Sequence, residues 1–276
     1  MKELNKINKI IILAGGIGSR MGEIGDFLPK FLLPVGDHTL LFRLLSQLKF
    51  QFDDLVISTN SHNFPVLTKY IKKYFSEFNI KIVENKYHAK SAVSALYHIL
   101  KRLQWQGQFL LILSDIFYLD LPLSKIGSGF TQESVVLFGT KYKNPIELTR
   151  GGIIVTNNHR KVIDIVKKPS KKIKDGARWS GMAICNQGFW KDLSKSICRK
   201  NESQIDLEEI FQYRILSGHA ASFIDCGEFV NINSPQHLLL ANLLSMKEKI
   251  GKTNSSLTQV INDTKNNILY DKKNQL

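Results

Sequence analysis

The sequence predicts an α/β protein with a doubly wound, Rossmann-like and mostly parallel sheet, into which an antiparallel part is inserted. Two observations carry this prediction. In the first half of the chain, short apolar runs alternate with amphipathic stretches, which is the order of a parallel sheet with crossover helices. Later, strand-like runs follow one another with only a polar turn between them, which is typical of antiparallel hairpins.

The alternation begins near the N-terminus. The apolar run Ile10–Leu13 predicts a strand buried on both faces, and residues 54–59 and 80–83 predict the next two strands. Leucines at helical spacing predict a helix over 40–48, and a second helix is predicted over 65–75. In a sheet of this βαβαβ order, ligands bind at the carboxyl ends of the strands.

A glycine-rich loop follows the first strand and contains Gly15, Gly16 and Gly18. Glycines permit positive φ angles and leave the backbone amides open, so a concavity suited to phosphate can form. Arg20 and, ten residues later, Lys30 add two cations. The spacing differs from the dinucleotide fingerprint G-x-G-x-x-G, and Arg20 stands where a Walker A loop needs Gly-Lys-Ser/Thr. We therefore expect a phosphate loop of another kind.

A carboxylate follows the apolar run 109–113. Asp115 comes directly after Ser114, and a side chain just beyond a central strand of such a sheet stands at the mouth of the ligand crevice. Mg²⁺ in proteins is commonly held by one or two carboxylates together with substrate phosphates. Asp115 is therefore a predicted ligand of Mg²⁺.

The pattern changes from residue 135 onward. Residues 135–140 predict a strand, and residues 151–155 are predicted to pair with 161–166 through a polar turn. Further on, Asp206 and Glu209 predict a helix that begins with a capping box. From residue 251 the chain is polar with little apolar periodicity. We expect one main domain over 1–250 and a terminal appendage or loosely docked helix over 251–276.

Charge and composition limit the classes of protein without choosing one. The 38 basic and 24 acidic side chains give a net charge of +14, which attracts anionic small molecules, nucleic acids or acidic membranes. The basic residues are spread along the chain rather than interleaved with aromatic residues, so nucleic-acid binding is disfavoured.

No apolar run is long enough for a membrane span and no signal peptide is evident, so a cytoplasmic protein is expected. The three cysteines lack metal-site spacing and are expected to be buried thiols.

Two segments together resemble a known signature. Residues 13–21 follow the pattern L-A-G-G-x-G-S-R-M, and residues 29–35 follow P-K-x-L-x-P-V. The pair resembles the nucleoside-diphosphate-sugar pyrophosphorylases, which are the sugar-phosphate nucleotidyltransferases. The resemblance implies a reaction between an NTP and a phosphorylated small-molecule acceptor, expected to be a sugar 1-phosphate, that gives an NDP-sugar and pyrophosphate with Mg²⁺ as cofactor. It implies that Arg20 and Lys30 are catalytic, and that the nucleotide is bound by Leu13, Ala14, Gly15, Gly16, Gly18 and Ser19.

Later positions extend the resemblance to about residue 245. Ser114-Asp115 resembles the family's metal-binding Gly-Asp or Ala-Asp, and Lys168 matches the lysine of its Glu-Lys-Pro motif, which meets the acceptor phosphate. Lys167 replaces the glutamate of that motif. The strand that begins at Trp179 is similar to one that lines the acceptor pocket, so Trp179 and Gly181 are predicted to contact the acceptor. Trp179 either stacks on the acceptor or belongs to the core.

Two further positions depart from the family pattern. Asn231 stands where the family has its second metal-binding aspartate. The Asn-x-Asn sequence that begins there resembles the corresponding motif of the molybdenum-cofactor guanylyltransferases. The side-chain carbonyl oxygen of Asn231 is a predicted metal ligand. Ser91 lies where the family has a glycine-rich turn, in a segment that resembles phosphocholine cytidylyltransferases more than the sugar branch. Ser91 either binds the nucleotide or caps a helix.

Several functions therefore stay open. A nucleotidyltransferase acting on a sugar 1-phosphate or on phosphocholine is the first. A catalytically weak member that binds nucleotide for regulation is the second, and a basic nucleic-acid-binding protein is the third. A covalent mechanism has no support, since no Ser-His-Asp or Cys-His grouping is evident. A homo-oligomer is a possible assembly.

Overall fold

The computed structural model describes residues 7, 9–16, 18–48, 52–85, 91–123, 134–141, 151–157, 161–169, 173, 176–199, 205–250 and 255–270. The strands are β1 (Lys9–Leu13), β2 (Pro34–Val35), β3 (His38–Thr39), β4 (Asp54–Asn60), β5 (Ile80–Asn85), β6 (Phe109–Leu113), β7 (Ile116–Tyr118), β8 (Val135–Thr140), β9 (Gly152–Thr156), β10 (Val162–Lys167), β11 (Gly176–Cys185), β12 (Ala221–Asp225) and β13 (Phe229–Asn231). The helices are α1 (Glu23–Phe27), α2 (Leu40–Leu48), α3 (Phe64–Tyr74), α4 (Ala92–Arg102), α5 (Gln187–Arg199), α6 (Leu207–Leu216), α7 (Pro235–Ile250) and α8 (Ser255–Tyr270).

The chain forms two compact units. The first unit consists of residues 1–15, 50–113 and 122–226, and the second consists of residues 16–49, 114–121 and 227–276. Each unit is therefore assembled from three separate stretches of chain. The pyrophosphorylase-like loop 13–21 contributes to both units, because the division falls between Gly15 and Gly16.

The first unit contains one sheet, which has nine strands within the described part of the chain. Its parallel part has the strand order β6-β1-β4-β5. The three side chains Ile10, Ile11 and Ile12 at its centre are completely buried, as expected for a strand covered on both faces. The predicted βαβαβ order, with helices α2 and α3 between these strands, is confirmed.

The antiparallel part continues the same sheet. Strand β11 pairs antiparallel with β6, β8 and β9, and β9 forms the predicted hairpin with β10. Strand β12 adds to β8 in parallel. The predicted fold class, a mostly parallel central sheet with an inserted antiparallel part, is confirmed. The core of this unit is rich in aromatic side chains, among which Phe189 stacks on Phe211.

The second unit is built around a short antiparallel pair and two helices. Strands β7 and β13 pair with Phe117 opposite Val230, and both side chains are buried. Helices α7 and α8 pack against each other. Ile261 of α8 is 1% exposed and belongs to the same apolar cluster as Phe117 and Val230, so the described helix of the predicted appendage contributes to the core of this unit.

Within the described residues, none of the helices combines the length and the apolar character that crossing a membrane requires.

Candidate active site

The second unit brings together the two predicted catalytic cations and the predicted metal carboxylate. The Lys30 ammonium lies 3.3 Å from Asp115 Oδ2 and donates to Asn233 Oδ1 at 3.0 Å. Arg20 Nη2 donates to the same carbonyl oxygen at 3.1 Å. Arg20, Lys30 and Asp115 are separated by up to 95 positions in sequence, yet one asparagine links both cations. Their arrangement is compact enough for a single polyphosphate.

The backbone at Arg20 is set by close packing between glycines. Gly18 has φ 79° and precedes a single 3₁₀ turn, Ser19–Met21, whose Met21 side chain is buried. A Cβ at Gly25 would lie 2.5 Å from the Gly18 carbonyl oxygen. Gly25 is therefore required for this approach. The motif analysis did not single it out, because its reason is a contact rather than a spacing.

Lys30 is placed by the same loop. It begins a 3₁₀ turn after Pro29, and the neighbouring Phe31 is anchored in the core. A Cβ at Gly18 would meet Lys30 Cγ at 3.5 Å, and a Cβ at Gly16 would meet Lys30 Cδ at 3.9 Å. The methylene stem of Lys30 thus lies against the glycine loop. Lys30 is only 7% exposed, so its charge acts in a poorly solvated environment.

The opposite side of the site is held by the β7–β13 pair. Asn231 is the register partner of Ile116, and the amide of Ile232 donates to the Asp115 carbonyl at 2.9 Å. Asn233 Nδ2 donates to Asn231 Oδ1 at 2.7 Å. The predicted metal positions Asp115 and Asn231 therefore lie on adjacent backbone segments, and Asn233 joins them to the cations.

Sequence reasoning did not select Asn233 as a site residue. The sequence did contain a signal, which is the Asn-x-Asn spacing at the end of a strand. Residues two apart in an extended chain point to the same face, so this spacing indicates that Asn233 lies beside Asn231.

The donor set at Asp115 and Asn231 fits Mg²⁺. Among the described residues there is no group of three or more His, Cys, Asp or Glu side chains suited to a metal, so a dedicated all-protein cage is not found there. Mg²⁺ is usually held by one or two carboxylates while substrate phosphates and water complete the octahedron. Asp115 supplies one such carboxylate, and Asn231 supplies a neutral amide oxygen. Asp115 is partly exposed, which leaves room for an oxygen ligand beside the Lys30 ammonium.

The first part of the glycine loop belongs to the first unit and is held by strand β4. The Ala14 amide donates to the Ser58 carbonyl at 2.7 Å, and Thr59 Oγ1 donates to the Ala14 carbonyl at 2.9 Å. Asn60 Nδ2 donates to the Gly15 carbonyl at 3.0 Å. These bonds keep the backbone after Leu13 in one conformation. The sequence analysis did not select Thr59 or Asn60 as site residues.

Ser91 caps helix α4. Its Oγ accepts a hydrogen bond from the Ser94 amide at 3.1 Å, which is the geometry of an N-cap. Of the two alternatives that the sequence left open, helix capping is therefore observed. Nucleotide binding by Ser91 stays a prediction.

The predicted acceptor residues Lys168 and Gly181 occupy special backbone positions in the first unit. Lys168 has φ 40°, its side chain is exposed, and its amide donates to the Gly151 carbonyl at 2.8 Å. A non-glycine residue in this left-handed conformation is uncommon and often marks a functional position. Gly181 has φ 72° and lies where the register of β11 against β8 shifts.

The prediction that Trp179 stacks on an acceptor is corrected by the structure. Trp179 is 8% exposed, its indole N–H donates to the Met182 carbonyl at 3.0 Å, and its ring meets Phe211 edge-on. Both the apolar face and the polar atom of the indole are therefore used inside the core. The alternative, a core tryptophan, is what the structure shows.

The predicted capping box of α6 is also corrected. Asp206 precedes the helix but makes no side-chain capping bond; its carboxylate pairs instead with Lys167. This bond raises the pKa of Lys167. The neighbouring Glu208 is packed near Gly152, and burial raises the pKa of its carboxyl group. Lys167, which replaces the glutamate of the family motif, is thus neutralised by Asp206.

The cysteine prediction is partly correct. Cys185 and Cys226 are buried, and burial raises the pKa of both thiols. Cys198 is exposed, which corrects the expectation that all three are buried.

Residues 10–125 match the family described as the MobA-like NTP transferase domain. The matched segment is less than half of the chain, and the chain is similar to sugar-phosphate nucleotidyltransferases over most of its length.

Curated relatives agree with this class. The chain is 27% identical over 237 residues to the D-glycero-alpha-D-manno-heptose 1-phosphate guanylyltransferase of Campylobacter jejuni, a match that covers 84% of this chain and 99% of the relative. It is 24% identical over 260 residues to the bifunctional protein GlmU of Methanococcus aeolicus, covering 88% of this chain and 57% of that protein.

Solved structures show the same fold. A Bacillus anthracis protein assigned as a glucose-1-phosphate thymidylyltransferase superposes with a TM-score of 0.72 at 21% identity, covering 91% of this chain and 98% of that one. The inositol-1-phosphate CTP transferase of T. maritima superposes with a TM-score of 0.70 at 16% identity, covering 95% of this chain and 97% of that one.

Proposed function

We propose that the protein joins an NTP to a sugar 1-phosphate, giving an NDP-sugar and pyrophosphate in a Mg²⁺-dependent reaction. The observation that carries the proposal is the convergence of Arg20 and Lys30 on Asn233, with Asp115 beside Lys30. Two cations next to one carboxylate are suited to a triphosphate with its divalent ion. No group in this arrangement is required to act as a covalent nucleophile.

In the proposed reaction an oxygen of the acceptor phosphate attacks the α-phosphorus of the NTP. A new P–O bond forms to the acceptor, the bond between the α-phosphorus and the bridging oxygen breaks, and pyrophosphate leaves with the bond electrons. Phosphoryl chemistry of this kind depends mainly on positioning and on neutralisation of charge.

Each residue of the second unit has a role in this scheme. Lys30 stabilises the negative charge that develops on the α-phosphate, because its ammonium is fixed and poorly solvated. Arg20, which is exposed, neutralises the leaving pyrophosphate. The amides around Gly16 and Gly18 receive phosphate oxygens. Asp115 and Asn231 would hold Mg²⁺, which supplies further charge neutralisation when bound.

A separate role is proposed for one residue of the first unit. Lys168 is proposed to hold the acceptor phosphate, since it is exposed and fixed in a left-handed backbone conformation. Lys167 of the same dipeptide is paired with Asp206, so the scheme assigns the acceptor phosphate to Lys168.

The deciding experiment is a screen for pyrophosphate release. ATP, GTP, CTP and TTP are each combined with Mg²⁺ and with one acceptor from a panel. The first pair to test is GTP with D-glycero-α-D-manno-heptose 1-phosphate, because the relative with that activity is matched over almost its full length. Glucose 1-phosphate, inositol 1-phosphate and phosphocholine complete the panel.

We expect at least one pair to release pyrophosphate and to lose this activity in excess EDTA. If no pair reacts while a nucleotide still raises the melting temperature, the protein binds nucleotide without catalysing the transfer and the proposed reaction is refuted.

A further inference from the structure

We propose that Asn233 is a positioning residue that sets the spacing of Arg20 and Lys30 and orients the carbonyl oxygen of Asn231 toward a divalent cation. The inference rests on the proposed function. Asn233 is connected to three site residues, since its carbonyl oxygen accepts from both cations and its amide nitrogen donates to Asn231.

The direction of these bonds follows from the chemistry of the partners. Lysine and arginine side chains only donate hydrogen bonds, so the Asn233 atom 3.0 Å from Lys30 Nζ and 3.1 Å from Arg20 Nη2 must be the carbonyl oxygen. The amide nitrogen of Asn233 then faces Asn231 and can only donate to it. The Asn231 atom 2.7 Å away is therefore its carbonyl oxygen. The two cations thus determine the orientation of both amides.

The backbone at Asn233 is held in place by the elements on either side of it. It lies in the short link between Asn231, which ends β13, and Pro235, which begins α7. The preceding residue Ile232 is completely buried and its amide is bonded to Asp115. This link has little freedom to shift, so the geometry at Asn233 is transmitted to the groups around it.

A neutral amide is the side chain that can satisfy this arrangement. Leucine would neither accept nor donate. A carboxylate could accept from Arg20 and Lys30 but could not donate to Asn231, whose amide would then reverse to present its nitrogen. The oxygen of Asn231 would lose its fixed direction in each case. Groups that orient metal ligands in this way typically change metal affinity or activity by about 10- to 100-fold.

Metal binding provides a test that does not depend on turnover. Mn²⁺ prefers the same oxygen ligands as Mg²⁺ and is titrated alone, with free Mn²⁺ followed by EPR, into the wild type, N231A, N233A and the double variant. We expect N233A to weaken Mn²⁺ binding by about tenfold or more. Because Asn233 acts through Asn231, the double variant should bind no more weakly than N231A.

Asn242→Ala is the matched control. Asn242 also lies in the second unit and makes three hydrogen bonds, to the Gly36 amide and to the carbonyls of Pro34 and Leu238, but it is not part of the proposed machinery. We expect N242A to bind Mn²⁺ like the wild type. N233L, which keeps the number and branching of the side-chain heavy atoms, replaces N233A if the alanine variant does not fold.

Three results would overturn the role of Asn233: unchanged Mn²⁺ affinity in the folded variant, additive losses in the double variant, or no Mn²⁺ binding by the wild type. Kinetics add a second readout, since mispositioned cations should lower kcat more than they raise the KM for NTP. If the wild type shows no turnover with any pair, the proposed function fails, while the Mn²⁺ titrations still decide the role of Asn233.

Discussion

Replacement of Lys30 by methionine tests the central cation of the proposed reaction. Methionine keeps an unbranched stem against Gly16 and Gly18 but removes the ammonium group that lies 3.3 Å from Asp115 and 3.0 Å from Asn233. Lys30 is 7% exposed, so water cannot readily replace the lost charge. A fixed group that faces developing negative charge contributes about 3–4 kcal/mol to the transition state. We therefore expect kcat to fall by about a hundredfold to a thousandfold.

The assay is steady-state pyrophosphate release with the reactive substrate pair, with kcat and KM determined separately. The KM for NTP should change much less than kcat, because the charge on the α-phosphate grows mainly in the transition state. Lys72→Met, at an exposed position on α3, controls for the loss of one positive charge and should behave like the wild type. A K30M variant that keeps its native melting temperature and its kcat would refute the mechanism.

Three further predictions concern the loop glycine Gly25, the β4 residue Asn60 and the partly buried carboxylate Glu208. Gly25→Ala places a Cβ 2.5 Å from the Gly18 carbonyl oxygen. We expect the free energy of unfolding, measured by thermal denaturation, to fall by about 1–3 kcal/mol and kcat/KM to decrease. Unchanged values would show that the close approach of the two glycines is dispensable. Asn60→Ala removes the donor to the Gly15 carbonyl and should raise the KM for NTP severalfold, with a normal KM as the contrary result. Glu208→Gln should raise the melting temperature at pH 8 but leave it unchanged at a pH below the ordinary carboxyl pKa. Burial raises the pKa of Glu208, so the charged carboxylate destabilises the folded state at high pH. This destabilisation disappears as the pH falls through the raised pKa, because the carboxyl group is then neutral. An equal effect at both pH values would contradict this explanation.

Local patterns were sufficient for most of the fold. The apolar runs that became β1 and β6 are contiguous, and their burial follows from composition. Strands β4 and β5 contain polar residues and are buried in part, but their place in the alternating order was sufficient to predict them. The hairpin of β9 and β10 was predictable in the same way, because both strands and the turn between them are adjacent in sequence.

Predictions that depended on the surroundings of one side chain were less successful. Trp179 has a sequence context that suits an acceptor contact, but the position of Phe211, 32 residues later in the chain, places its ring in the core. Asp206 has the spacing of a helix cap, but Lys167 on a neighbouring strand takes its carboxylate. In both cases a long-range partner outweighed a local preference.

The sequence by itself was sufficient to select the local motifs from which the candidate site is built. The glycine loop with Arg20, the Pro-Lys dipeptide with Lys30 and the carboxylate Asp115 after a strand were all identified from spacing, because each depends on a few consecutive residues. Only the tertiary structure decided that Asn233 joins them, that Gly25 must lack a side chain and that β7 and β13 bring Asp115 next to Asn231. The bonds of Asn233 to the two cations and the pairing of β7 with β13 link segments more than 100 residues apart, whereas the contact between Gly25 and Gly18 is local. None of these contacts leaves a periodic signal in the sequence.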